Sequence, residues 1–322
     1  MSRKPSPHRR TRATTILARL ALMMSLSGAK AIAQGPAPET APPLFPGGGL
    51  VSYSSGFSTR GAFPGFRSGA IAATSRPTLS HEADFNFTWG FHPDFDLSIV
   101  IPVVTNRFDM AGWRAGGTGL GDAMLLVKYR FVRHDSGRGT TQASVTLGPK
   151  IPTGRTDLTS ESGSLLPAGL QPGSRSTDLF LATNWTYTGL FNVKRLVADE
   201  DLHALVRTEG TRASRLGNDF ESRFWLSYRP YEAKDGSREW FLGPAITWLH
   251  SGDDYLAGVK SAGSGGTVML AGVTTYIGLR PGMHVWLGMD WDVAHSDGAM
   301  FMPVRRHFSF GITQQFRMHI FK

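Results

Sequence analysis

The sequence predicts an all-β protein, a transmembrane antiparallel up-and-down β-barrel of about twelve strands behind a cleaved N-terminal signal peptide. Three observations carry this expectation. From Leu50 onward apolar residues recur at every second position in runs of about ten, the period of a strand with two unlike faces. Short and long connectors alternate between the runs. The first thirty-odd residues differ from the rest and show the three regions of an export signal.

In chain order, Arg3, Lys4, Arg9, Arg10 and Arg12 form a basic start, and Ile16 to Gly28 is mostly apolar. Ala31-Ile32-Ala33 then offers the small-x-small pattern of a signal peptidase site, so cleavage is expected after Ala33, before Gln34. Arg12 stands where a twin-arginine signal built on Arg9-Arg10 carries an apolar residue, which disfavours that export route. Leu20 to Ala29 is too short for an anchoring helix, which needs about twenty apolar residues. The chain thus divides into a signal peptide (1–33), a flexible Pro- and Gly-rich lead-in (34–49) and a barrel (50–322).

Charge and composition exclude several classes. The formal net charge of +9 comes largely from the leader, whose seven Lys and Arg face no acid. Removing those seven from the 34 Lys and Arg leaves 27 against 25 acids, about +2, and no basic face for nucleic acid. With no cysteine, disulfides, thiolate metal sites and thiol catalysis are excluded.

The first strand is expected near 50–58. In Leu79 to Gly90, Leu79, Ala83, Phe85, Phe87 and Trp89 share one face, with His81 as its exception, while Glu82, Asp84, Asn86 and Thr88 share the other. After His92-Pro93-Asp94 the alternation resumes at Phe95, Leu97, Ile99, Ile101 and Val103, completing a hairpin. It continues in Ala123 to Phe131, Ala143 to Ile151, Leu179 to Tyr187, a weaker stretch near 200–209, Phe220 to Tyr228 and Trp240 to Trp248. The last three runs are expected near 266–279, at Met283 to Val293 and at Phe308 to Ile320. Long connectors are expected near 59–77, 106–120, 152–177, 251–265 and 295–305, all at one end. Trp89, Trp185, Trp240 and Trp248 flank apolar stretches as interfacial girdles do. Pro244 removes a ladder hydrogen bond inside a strand, and a bulge is expected there.

The polar faces supply the candidate lumen lining: Glu82, Asp84, Lys128, Arg130, Glu221, Arg223, Arg229, Asp290 and Asp292, with Asp122, Glu239, Lys150 and Arg317 of the same parity. Both signs are present, which fits a bracing ionic network or a polar solute path, not a single-sign selectivity ring. His250 and Ser251 are adjacent on one strand, so they face opposite ways and cannot form a nucleophilic pair. Asp253-Asp254, or Asp290 with Asp292, is too small a ligand set for a divalent cation. Gly116 to Gly121 looks like a phosphate-cradling loop, but a strand follows it and not a helix. No catalytic, cofactor or metal residue is therefore expected.

At Gly119-Leu120-Gly121-Asp122, running into Leu126-Val127-Lys128-Tyr129-Arg130-Phe131, the chain resembles the outer-membrane β-barrel family named for the meta pathway of phenol degradation. Ile101-Pro102-Val103-Val104 and Gly148-Pro149-Lys150-Ile151-Pro152-Thr153-Gly154 agree with it. The resemblance runs from about 79 to the C-terminus and is weakest at 191–217. It implies a bacterial outer-membrane transporter linked to aromatic-compound breakdown, without inherited catalytic residues. The expected partners are the lipid bilayer, the outer-membrane insertion machinery and a small solute. Insertion machinery often reads a terminal aromatic, whereas here Phe321 precedes Lys322, so Phe316 or Phe321 ends the last strand.

Three functions remain after this reading. The first is a channel for passive uptake of small aromatic or otherwise hydrophobic solutes. The second is a plugged structural or adhesive barrel, and the third, a hydrolase, needs a Ser and a His meeting on one face.

Overall fold

A computed structural model describes residues 42–60, 78–110, 113–137, 139–166, 168–234, 238–296 and 303–317, without the side chains of Thr78 and 108–115. The expected cleavage site at Ala31, Ala33 and Gln34 lies outside the described residues, as do Phe321 and Lys322.

Alternating unlike residues cannot bury one face of a helix, but they suit a wall with a wet side and an apolar side. Sixteen strands result, the short β9 (Ser214–Arg215), β12 (Tyr255–Leu256) and β13 (Val259–Lys260) forming a separate small sheet. The other thirteen are β1 (Gly48–Arg60), β2 (Thr78–His92), β3 (Phe95–Met110), β4 (Trp113–Leu120), β5 (Met124–Asp135), β6 (Thr140–Lys150) and β7 (Asp178–Thr188), then β8 (Leu196–Val206), β10 (Asp219–Glu232), β11 (Glu239–Ser251), β14 (Gly266–Arg280), β15 (Met283–His295) and β16 (Val304–Arg317). Each pairs antiparallel with its neighbours, and β1 bonds both β2 and β16, so the ring closes. Because β4 and β5 succeed each other along β3, the closed barrel has twelve staves.

The register sets the faces. Val127, Tyr129 and Phe131 are exposed outward on β5, while Leu126 is buried and Lys128 lines the interior. Leu147, Leu181, Ile246, Val273, Leu287 and Phe308 continue the outward apolar belt. Aromatic contacts border it at the short-turn end, where Phe95 stacks on Tyr129 at 4.6 Å and Trp185 on Tyr187 at 6.3 Å. At the long-loop end Phe220 meets Trp248 at 5.3 Å and Phe57 stacks on His81 at 4.3 Å. His81 thus keeps its exceptional place on the outward face.

Three details differ from the sequence expectation. The connector near 106–120 is mostly strand, because β3 runs to Met110 and pairs with β4 in a projecting hairpin. The irregular point of that wall lies lower, opposite Pro102, which has no N–H to donate. Between the pairs Val100↔Met124 and Val103↔Leu120, three steps along β3 match four on the other side, and Gly121 N–H bonds the Pro102 carbonyl at 2.8 Å. Pro244 causes no bulge: it faces outward in unbroken register with Val273, and the shift in β10–β11 falls between Tyr228 and Tyr231. Lastly, the weak run near 200–209 is β8, which begins at Leu196. The last strand includes Phe316 and ends at Arg317 within the described residues.

Candidate functional site: the barrel lumen

Parity carries the polar face of every stave into the lumen, and three zones follow one another along the axis. At the short-turn end lies a chamber of about 630 Å³. One side of it is apolar, formed by Leu50, Val100 and Leu126 together with Leu44 from the segment before β1. Leu44 is held there because both carboxylate oxygens of Asp96 accept its N–H, at 3.1 and 3.2 Å. The facing side carries Trp225, Phe241 and Tyr276. Phe241 and Tyr276 meet edge to face at 6.1 Å, and the Arg229 guanidinium lies 5.6 Å from the Phe241 ring. The Trp225 indole N–H and the Thr146 hydroxyl are buried behind this wall and have no hydrogen-bond partner within the protein.

Lys128 and Arg229 of the sequence-derived set line this chamber. Arg130 sits at its rim, bonded to Asp94 at 2.6 Å and Gln142 at 2.9 Å. The other members lie higher. Glu82, Asp84, Glu221 and Asp290 each carry at least one buried carboxylate oxygen without a protein partner, and Asp290, only 1 % exposed, has two. Arg223 donates to Thr274 at 2.9 Å, and Arg60 is attracted by Asp219 on β10 and Glu82 on β2, which ties separate walls together. An unpaired buried polar group costs ~2–7 kcal/mol if left dry, so these carboxyl groups take up water, a polar solute or a proton. Asp292 is engaged by Arg305 at 2.6 Å and His295 at 2.9 Å.

At the long-loop end, residues 151–166 and 168–177 fold against the inner wall of the barrel. Leu158, Leu166, Ala168 and Leu170 are buried in the mouth. Gln171 laces that segment together: it accepts from Leu158 N–H and donates to the Leu158 and Leu166 carbonyls, each at 3.0 Å. Asn106, facing inward from β3, donates to the Leu170 carbonyl at 3.3 Å. The base of the loop is clamped by Asp122, which accepts from Gly154 N–H (2.9 Å), Ser174 N–H (2.8 Å), Ser174 Oγ (2.6 Å) and Lys150 Nζ (2.7 Å). Lys150 also reaches Asp178 at 2.9 Å, and Arg207 joins Asp178 to Asp219. Burial pushes the Asp122 carboxyl up, but Lys150 and the bonds from Lys150 and Ser174 outweigh it and hold the group below its ordinary value. Asp122 is thus the organiser of the loop, a role beyond the loop-to-strand junction read from the sequence.

Sequence reasoning missed Trp225, Phe241 and Tyr276, although parity signalled them: Trp225 shares its face with Glu221 and Arg223, Phe241 with Glu239. It also missed Asp178 and Asp219, whose role depends on contacts between distant segments. Asp253 accepts from Gly265 N–H and Asp254 from Gly217 N–H, both at loop turns, and no group of three metal-ligating side chains occurs among the described residues. His250 and Ser251 face apart, bonding Thr267 and Asp219. Ser55 and His81 do meet, at 2.8 Å, but on the outward face with Ser55 only 2 % exposed.

No protein-family model matches the sequence, and no curated protein matches it. Among solved structures, an outer-membrane channel from Pseudomonas putida F1 is similar over 88% of this chain and 100% of its own, with 15% identity and a TM-score of 0.61. The beta domain of the Bordetella autotransporter Brka is similar over 83% of this chain and 99% of its own, with 10% identity and a TM-score of 0.50. At these identities the likeness is one of fold.

Proposed function

We propose that the chain is an outer-membrane channel for passive uptake of small solutes with an aromatic or otherwise hydrophobic body. The observation that carries this reading is the chamber, with Trp225, Phe241 and Tyr276 on one wall and Leu44, Leu50, Val100 and Leu126 on the other. A pocket of this kind takes a flat apolar body. The expected leader at 1–33 brings the chain to the insertion machinery, the short turns and the chamber face the periplasm, and the long connectors face outward. The likeness to an outer-membrane channel supports the reading, as does the resemblance in the sequence to a family linked to aromatic breakdown. Solute enters when the 151–177 loop leaves the mouth, crosses the carboxylate-rich middle with its water, and rests in the chamber before release.

The loop itself favours a second reading, a plugged barrel whose outer loops bind and whose lumen conducts nothing. Refolded protein in a planar bilayer separates the two. Transport gives discrete current steps that phenol reduces in a concentration-dependent way. Silence from protein that still shows heat-modifiable migration on a gel supports the plugged barrel instead.

A further inference from the structure

The segment before β1 lies in a groove built for it. Gly48 on β1, Gly90 on β2 and Asp96 on β3 stand side by side across three neighbouring strands. Gly90 shares the inward face of β2 with Asn86 and Thr88, so this row belongs to the lumen wall at its short-turn end. Two of its three positions carry no side chain, and the backbone of Leu44 and Phe45 fills the space they leave. A Cβ at Gly90 would stand 2.7 Å from the Phe45 carbonyl oxygen and 2.8 Å from Leu44 Cβ, and one at Gly48 would stand 2.8 Å from the same carbonyl. The third position, Asp96, grips the segment by the Leu44 N–H.

The chain reaches the groove through a reversal. Gly47 adopts left-handed backbone at φ 74°, its N–H donates to the Gly90 carbonyl at 2.7 Å, and the Gly48 N–H donates to the Phe45 carbonyl at 2.7 Å. The two sides of the segment then differ. Leu44, only 8 % exposed, and Pro42 line the chamber, whereas Phe45 and Pro46 face water. The turn pins one end at Gly47, and the Asp96 carboxylate ties down Leu44. One hydrogen bond to a charged group favours the docked state about ten- to a hundredfold, a bias small enough for local opening.

We propose that residues 42–46 are a releasable strap: docked in the glycine groove, Leu44 narrows the chamber from its short-turn end, and on leaving Asp96 the segment swings out about Gly47 and widens that end. Release is a motion of the wall and needs no current, so its test stands apart from whether the lumen conducts.

The chain has no cysteine, so one introduced thiol reports each position. Leu44→Cys reports the strap. Thr88→Cys, two residues from Gly90 on the inward face of β2 and itself buried, reports the chamber. In mild detergent both should react with a maleimide slowly beside Phe45→Cys, which starts exposed. Added to either background, Asp96→Ala removes the grip and should speed labelling about tenfold or more. Gly90→Val fills the groove and should do the same with the carboxylate intact, whereas Asp96→Asn keeps a carbonyl acceptor and should keep most of the protection. Heat-modifiable migration shows that each barrel is folded. Labelling of Thr88→Cys indifferent to both Asp96→Ala and Gly90→Val overturns the proposal, as does Leu44→Cys reacting as fast as Phe45→Cys with Gly90 and Asp96 unaltered.

Discussion

Replacing Asp122 by Asn tests whether the 151–177 loop is a gate. The carboxylate accepts four hydrogen bonds, one of them from Lys150, and an amide with a single carbonyl oxygen keeps about two of them. Lys150 retains Asp178, so its charge is not orphaned and the full cost of breaking a buried pair does not apply. The net loss is then that of one to two bonds involving a charged group, about 2–3 kcal/mol. At 1.4 kcal/mol per factor of ten, the closed loop loses roughly 30- to 150-fold of its advantage. In single-channel recordings at neutral pH the Asn variant should therefore be open for a far larger fraction of the time at unchanged step size. The pH dependence follows from the same group. Because the folded pKa of Asp122 is lowered, its stabilisation of the closed loop is complete above the ordinary carboxylate range and is lost as pH falls through the folded value. Opening of the unaltered protein should rise on acidification below about pH 4, and less so in the Asn variant. An unchanged open fraction in a variant that still forms a heat-modifiable barrel would refute the clamp.

Other outcomes follow from the same geometry. Val127→Arg places a charge on the lipid-facing side of β5 and should cost about 2–4 kcal/mol in reversible urea unfolding from micelles, whereas Lys128→Leu, on the lumen side of the same strand, should cost far less. Gln171→Leu keeps the volume of the side chain but removes its three bonds to the loop, and it should raise the open fraction without altering the unfolding free energy of the barrel by more than about 1 kcal/mol. Phe241→Leu removes one ring of the aromatic wall, so block by phenol should weaken by about tenfold or less while the current step persists.

Much of the wall was legible because its signal is local. Val127 against Lys128, or Phe85 against Asp84, differ so strongly in transfer free energy that a slip of one residue would exchange lipid and lumen, and the faces follow once a closed sheet is assumed. Irregular places were less so. Pro244 broke the rule for ladder donors without breaking the register, because its ring lies outward opposite Val273 and the paired strands remain in step around it. The stretch at 106–120, rich in Gly, looked like a connector, yet backbone pairing with β3 continues through it whatever its side chains.

By itself the sequence determined the strand period, the two faces, the alternation of short and long connectors and the polar character of the lumen, since each depends on residues adjacent in the chain. Only the tertiary structure decided that Asp122, Lys150, Ser174, Asp178, Arg207 and Asp219 converge on the mouth, that Leu44 bonds Asp96, and that Trp225, Phe241 and Tyr276 share a chamber. Those contacts join residues far apart in sequence, and their partners are fixed by the closure and register of the whole barrel, which no local pattern encodes.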